Sequence, residues 1–184
     1  MAVKLKGKQW FKIISPKFFG EKEIGQTVAG VPDALIGKTI NMSAIELTDD
    51  INKYYMTLKL KINSVNGDKA STEFVGSECM QDYISRMVLH RVRRIDTVQD
   101  LTTNDDVKIR IKGLTIIPKR AKSSIEVKVR EFVAASIKKV VEDSTLEELL
   151  MKILANEIKN KILKEGRTIY PIRNFEVRKT EIIQ

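Results

Sequence analysis

The chain has 184 residues, 42% of them hydrophobic and 31% charged, with a formal net charge of +9. That length suits one compact domain or two small ones, and the composition supports a buried core rather than a disordered chain. A single cysteine, Cys79, excludes an intramolecular disulfide, and no apolar run approaches the ~20 residues needed to cross a bilayer, so a reduced, cytoplasmic protein with an anionic partner and no membrane is expected.

Residues 1–17 lack a signal-peptide core, because lysines interrupt every apolar pair. Residues 4–17 are basic and carry Trp10, Phe11 and Pro16, which predicts a tail that becomes an ordered loop or edge strand. Gly25, Gly30, Pro32 and Gly37 punctuate a connecting stretch. A strand is expected over 38–47, with Ile40, Met42 and Ala44 on one side. A clearer one covers 55–65, where Met56, Leu58, Leu60 and Ile62 alternate with Thr57, Lys59, Lys61 and Asn63. Asn66-Gly67 signals a hairpin, since both residues accept positive φ, and 69–75 is the returning strand. Residues 82–89 cluster Tyr83, Ile84, Met87 and Val88 at helical spacing. Strands follow over 94–101 and 107–117, separated by Asn104-Asp105-Asp106 and stopped by Pro118.

The period then changes. Ser123 with Glu126 fits a capping box, and a helix over 124–141 would bury Val129, Phe132, Val133, Ile137, Val140 and Val141. Ser144 with Glu147 fits a second box, opening one helix to about 164 with a stripe through Leu146, Leu149, Leu150, Ile153, Leu154, Ile158 and Ile162. Gly166 is placed to end it. The fold expected is α+β: a β-barrel-like, mostly antiparallel sheet with a C-terminal helical hairpin packed against it. The organisation expected is a basic segment over 1–20 and a single domain over 21–184, with sheet over 37–118, helices over 123–165 and a final strand over 173–183.

Charge is segregated along the chain. Residues 1–20 carry +5 with no acid, 84–94 carry +4, and 107–122 carry +6, so the rest sums to −6. A merely soluble surface intersperses the signs, whereas blocks like these suit phosphates. Residues that could carry catalysis are few. His90, the only histidine, lies among Arg86, Arg91, Arg93 and Arg94; it is a candidate base, with a plain surface residue as the ordinary alternative. Cys79 would need a nearby base to act as a nucleophile, and one Cys with one His cannot build a zinc site. Asp49-Asp50 and Asp105-Asp106 could hold a metal, but paired acids in turns are commonly turn formers. No phosphate-cradling glycine pattern occurs. No enzyme and no cofactor are expected.

Five segments, in order, resemble one family. They are Lys8-Gln9-Trp10-Phe11-Lys12-Ile13 with Ser15-Pro16, Phe18 or Phe19, and Ile24-Gly25-Gln26-Thr27; Gly37-Lys38 with Leu58-Lys59-Leu60-Lys61-Ile62; Asp82-Tyr83-Ile84-Ser85-Arg86-Met87-Val88; Asp143-Ser144-Thr145-Leu146; and Ile169-Tyr170-Pro171-Ile172-Arg173-Asn174-Phe175-Glu176-Val177-Arg178-Lys179. The sequence resembles the archaeal and eukaryotic small-subunit ribosomal proteins called S-three-Ae, or e-S-one, in their shorter archaeal form. The resemblance implies a place on the platform of the small subunit, near the messenger exit and the 3′ end of the small-subunit rRNA. It implies a barrel-like sheet with helices, binding to rRNA and neighbouring ribosomal proteins, and support of assembly and translation. Messenger RNA near the exit is a further candidate partner, and no obligate homo-oligomer is expected.

Contacts to RNA are expected at Lys8, Trp10 and Lys12; at Arg86, Arg91, Arg93 and Arg94; at Lys119, Arg120 and Lys122; and at Arg178 with Lys179. Arginine suits this role because its planar fork takes two phosphate oxygens or stacks on a base. The ordinary alternative at each position is a surface charge. Two other functions are left open: a free-standing RNA chaperone or protein adaptor, and a metal-dependent RNA-processing enzyme built from Asp49, Asp50, Asp105, Asp106 and His90.

Overall fold

The computed structural model describes residues 7–118 and 121–183. The chain divides into two compact units, Met1–Ser77 and Glu78–Gln184.

The first unit is a sheet with one short helix. Its strands are β1 (Gln9–Ile14), β2 (Glu23–Ala29), β3 (Thr39–Ser43), β4 (Met56–Asn66) and β5 (Lys69–Cys79), whose last two residues pass into the second unit. They lie in the order β2-β1-β5-β4-β3. β1–β2 and β3–β4 are antiparallel, and β1 runs parallel to β5 over Lys12–Ile14. The alternation read at 55–65 is real: Met56, Leu58, Leu60 and Ile62 are all buried. Phe11, Ala29, Leu35, Ile62 and Ala70 form a core cluster, with Ile40 and Val65 packed against it.

Three local readings change here. The basic tail becomes β1, which pairs on both sides at Lys12–Ile14 rather than lying at an edge. The expected connector holds a full strand, β2, because Gly25 sits opposite Ile13 within the ladder. The strand expected over 38–47 stops at Ser43, whose hydroxyl accepts from the Ile45 N–H and caps α1 (Ala44–Thr48). At the hairpin, Gly67-Asp68 are the two turn residues and only Gly67 has positive φ, at 60°. That is the pattern with glycine at the first central position.

The second unit holds α2 (Gln81–Met87), β6 (Arg93–Thr102), β7 (Lys108–Ile117), α3 (Ser123–Glu142), α4 (Leu146–Leu154), α5 (Glu157–Gly166) and β8 (Asn174–Ile182). Strands β6, β7 and β8 form an antiparallel ladder. The helix α3 lies against the sheet over Gly113. A Cβ there would fall 2.6 Å from Thr97 Oγ1 and 3.1 Å from Phe175 Cε2, so glycine avoids a clash with side chains of the two flanking strands, while Ile137 Cδ1 of α3 would lie at ordinary contact distance, 3.4 Å. Val129, Val133, Ile137 and Val141 of α3 are buried, with Leu149, Leu150, Ile153, Leu154, Ile158 and Ile162 from the two helices that follow. The fold is thus α+β, mostly antiparallel, with α3, α4 and α5 between the last two strands of the sheet. Among the described residues, the strand order of neither unit closes into a barrel.

The helical third also departs from expectation. The helix expected up to residue 164 is two helices, because Asn156 turns left-handed at φ 60° between them. The second capping box forms one residue later than expected: Glu148 N–H donates to Thr145 Oγ1, and Thr145 N–H to Glu148 Oε2, each at 3.3 Å. Ser144 is instead fully buried and accepts from Lys152 Nζ at 2.6 Å. The first box does not form. Lys122 occupies the N-cap position and Glu126 is engaged by an arginine. Gly166 is the last helical residue, and its small size matters more than its torsion, since a Cβ would collide with Ile172 Cδ1.

Candidate nucleic-acid interface

Antiparallel pairing gathers distant basic segments at one end of the second unit. Arg93 at the start of β6 pairs with Ile117 at the end of β7, and the Arg173 N–H, just before β8, donates to the Ile116 carbonyl at 2.8 Å. The loop after α2, the start of β6, Lys122 at the N-cap of α3 and the start of β8 therefore share one sheet end. Arg86, Arg91, Lys122 and Arg173 are exposed there, and none has an ion-pair partner among the described residues. His90 and half-exposed Leu89 lie in the same loop.

Arg91 holds a left-handed backbone, φ 68°, in a turn closed by Val92 N–H to the Leu89 carbonyl at 3.4 Å. Glycine or asparagine is the usual occupant of such a position, and a bulky residue there costs roughly 1–2 kcal/mol. Strain of that kind gathers at sites where a particular side chain is needed.

The other expected cations divide in instructive ways. Arg93 is held inside the unit: its Nε lies 2.8 Å from Glu126 Oε1 and its Nη2 3.2 Å from Oε2, a two-pronged clamp on the first turn of α3. Arg94 Nε donates to both oxygens of Asp96 at 3.0 Å. Lys119 and Arg120 lie outside the described residues. Arg178 is half-buried at a bulge in β8, since Lys112 pairs with Lys179 while the adjacent Gly113 pairs with Val177. Lys179 bonds Glu181 at 2.5 Å. In the first unit Lys8 and Trp10 are exposed, Trp10 by 66%, whereas Lys12 Nζ pairs with Glu23 at 2.9 Å. Arg173 went unrecognised as a contact because only the pairing of β7 with β8 brings it to this sheet end.

The basic strand β7 is largely self-neutralised. Arg110 forks onto Asp100, directly opposite on β6, at 2.6 and 2.7 Å. Lys112 and Lys179 flank Glu181. Hydrogen bonds from Arg110 and Lys179 hold the Asp100 and Glu181 carboxyls below their ordinary range, as bonds from Lys12 and Gln26 do for Glu23. This face offers phosphates little uncompensated charge.

Three of the four acids that could have served a metal have structural work instead. Asp105 accepts from the Leu146 N–H and caps α4, Asp50 accepts from the Asn52 N–H, and Asp49 pairs with Lys22. Asp105 and Asp106 follow β6, whereas His90 precedes it, so the ten-residue strand separates them by roughly 30 Å. No group of three or more His, Cys, Asp or Glu gathers as a metal site among the described residues. Cys79 is buried, its Sγ donates to the Val177 carbonyl at 3.2 Å, and burial with the Glu176 charge pushes the thiol up to about 12. Glu176 itself is nearly fully buried and accepts from Tyr83 and Lys159, tying α2 and α5 to β8.

Comparison with known proteins bears on this geometry. The model of the Ribosomal S3Ae family matches residues 2–184. The chain belongs to the Ribosomal S3Ae family. Its similar relatives include the small ribosomal subunit protein eS1 of Methanothrix thermoacetophila, 35% identical over 99% of this chain and 86% of that one. The proteins of the same name from Methanothermobacter thermautotrophicus and Sulfolobus acidocaldarius are each 34% identical, covering 97% and 98% of this chain and 92% of theirs. The match is thus to the archaeal type of this S3Ae family. No helix among the described residues is long and apolar enough to cross a membrane.

Proposed function

We propose that this chain is a structural, non-catalytic constituent of the small ribosomal subunit that binds rRNA through the arginine-bearing sheet end of its second unit. The observation that carries the reading is the convergence of Arg86, Arg91, Lys122 and Arg173, without ion-pair partners among the described residues, at one end of an antiparallel ladder. All ten arginines of the chain lie in the second unit. Phosphate contacts from such a cluster supply affinity, while its guanidinium planes can stack on unpaired bases, the usual route to sequence selection in RNA. Exposed Trp10, beside Lys8, offers a second stacking surface on the first unit. Family membership over the whole chain supports a place on the platform near the messenger exit, with neighbouring ribosomal proteins as partners, supporting assembly and translation in the cytoplasm.

Sucrose-gradient sedimentation of cell lysate, with and without ribonuclease, tests this. Comigration with small subunits that ribonuclease abolishes is the expected result. A slowly sedimenting peak indifferent to ribonuclease overturns it.

A further inference from the structure

A cleft of about 290 Å³ opens in the first unit between the turn after β1 and the β4–β5 hairpin. Its wall is fixed by satisfied, buried polar groups. Ser15 is 3% exposed and trades bonds with Lys22: Ser15 N–H donates to the Lys22 carbonyl, and Lys22 N–H to Ser15 Oγ, both at 2.9 Å. Thr72 Oγ1 donates to the Ile14 carbonyl at 2.7 Å. The rim is different. Lys17, Glu21, Asn66, Lys69 and Ser71 all line the cleft, and none of these side chains has an ion-pair or hydrogen-bond partner among the described residues. Nearby charges of the same unit are paired, Lys12 with Glu23 and Lys22 with Asp49. Glu21 also holds a left-handed backbone, φ 51°, which a non-glycine residue adopts at a cost.

Two lysines, one carboxylate, one amide and one hydroxyl around a rigid polar wall match a particular chemistry. Lysines take phosphate oxygens as point charges. A carboxylate repels phosphate but accepts from a ribose hydroxyl, and the 2′-OH is the group that distinguishes RNA from DNA. An asparagine amide presents both a donor and an acceptor to a base edge. We propose that this cleft is a single-stranded ribonucleotide subsite: Lys17 and Lys69 hold the flanking phosphates, Glu21 accepts from the 2′-OH, and Asn66 with Ser71 meets the base. The inference rests on the RNA-binding reading above and adds to it a site that selects ribose.

The test uses the full chain with a short single-stranded oligouridylate and its deoxyribose counterpart, read by fluorescence anisotropy. The unaltered chain is expected to bind the ribose form more tightly. Lys17→Ala combined with Lys69→Ala is expected to weaken that binding about tenfold and to flatten the slope of log affinity against log salt by about 1.4, two phosphates at ~0.7 each. Glu21→Ala is expected to bring the two affinities together, because it removes the acceptor for the 2′-OH from the ribose form while relieving phosphate repulsion of both forms alike. Melting temperatures should change little, because these side chains have no hydrogen-bond or ion-pair partner to lose among the described residues. A 4-thiouridine oligomer should crosslink within residues 14–22 or 66–72. Crosslinks confined elsewhere, equal binding of the two sugars by the unaltered chain, or full binding by the double lysine variant each overturn the cleft. Should any of these occur while the protein still sediments with small subunits, the ribosomal reading stands and the subsite alone falls.

Discussion

Arg91 and Arg93 stand two positions apart, yet the fold uses them in opposite ways. Arg93 is clamped onto Glu126, 33 positions later, whereas Arg91 points no charge at any described partner. Replacing Arg93 by Glu sets two carboxylates against each other beside a helix N-terminus, where Glu126 is only 14% exposed. Arg93→Glu should cost about 1–2 kcal/mol in urea denaturation, more than an open surface pair would. Arg91→Glu should leave the urea midpoint unmoved and weaken rRNA binding, read by filter retention. Equal stability for the two variants would show that the clamp contributes nothing. Cys79 yields a second residue-scale expectation. With its thiol pushed up to about 12 and its Sγ bonded to Val177, the folded protein should resist alkylation at pH 8, and unfolding in urea should make it fully reactive. Neither fate is legible in the sequence, since a partner 33 or 98 positions away leaves no local mark. What the sequence does show is the residue type, and hence the arginine cluster as a candidate.

Elements were legible where one face is buried over several periods. β4, with its strict alternation, and α3, with its buried valines, lie where the pattern places them. Breaks are harder to see, and α4–α5 shows why. The apolar stripe runs through Leu154 and Ile158 with helical spacing, so periodicity alone cannot reveal that the chain turns left-handed at Asn156. Both short helices bury the same stripe, which continues across the turn. Asn156 tolerates that torsion better than residues with larger apolar side chains do. Asn156→Ala should therefore destabilise by about 1 kcal/mol, while Asn156→Gly should be neutral or better, since glycine carries no Cβ penalty. Thermal unfolding of the two variants decides this. An alanine variant as stable as the asparagine chain would mean that the helices fuse without cost. The capping boxes follow the same logic. Residues Ser144 and Thr145 both precede a glutamate by three, and the one whose backbone does not finish α3 becomes the cap.

At the scale of the molecule, charge blocks in sequence differ from charge available in space. Three segments with fifteen cations and no acids read as one broad phosphate footprint. Folding supplies the missing acids from elsewhere: Glu23 for Lys12, Asp100 for Arg110, Glu181 for Lys112 and Glu126 for Arg93. Cross-strand pairs of opposite charge stabilise a sheet, and a carboxylate held that way is not free to leave for RNA at no cost. Gathered without ion-pair partners among the described residues at the two proposed RNA sites are Arg86, Arg91 and Lys122, joined by Arg173, at the sheet end, and Lys17, joined by Lys69, at the cleft. Lys8 and Lys108 are exposed and, among the described residues, unpaired elsewhere. Counterion release converts these two inventories into different numbers. Six engaged phosphates give a salt slope of about −4 to −5.5, eight with Lys119 and Arg120 joining give about −6 to −7, and fifteen give about −10 to −13.5. Binding of the full chain to small-subunit rRNA, followed from low to physiological salt, should fall in the shallow range. A slope near −10 would mean that Arg110, Lys112 and Arg93 release their carboxylates on binding, and the sheet face of β6 and β7 would then belong to the interface. A shallow slope leaves that face as a self-neutralised wall, with recognition concentrated in the loops that the antiparallel ladder brings together.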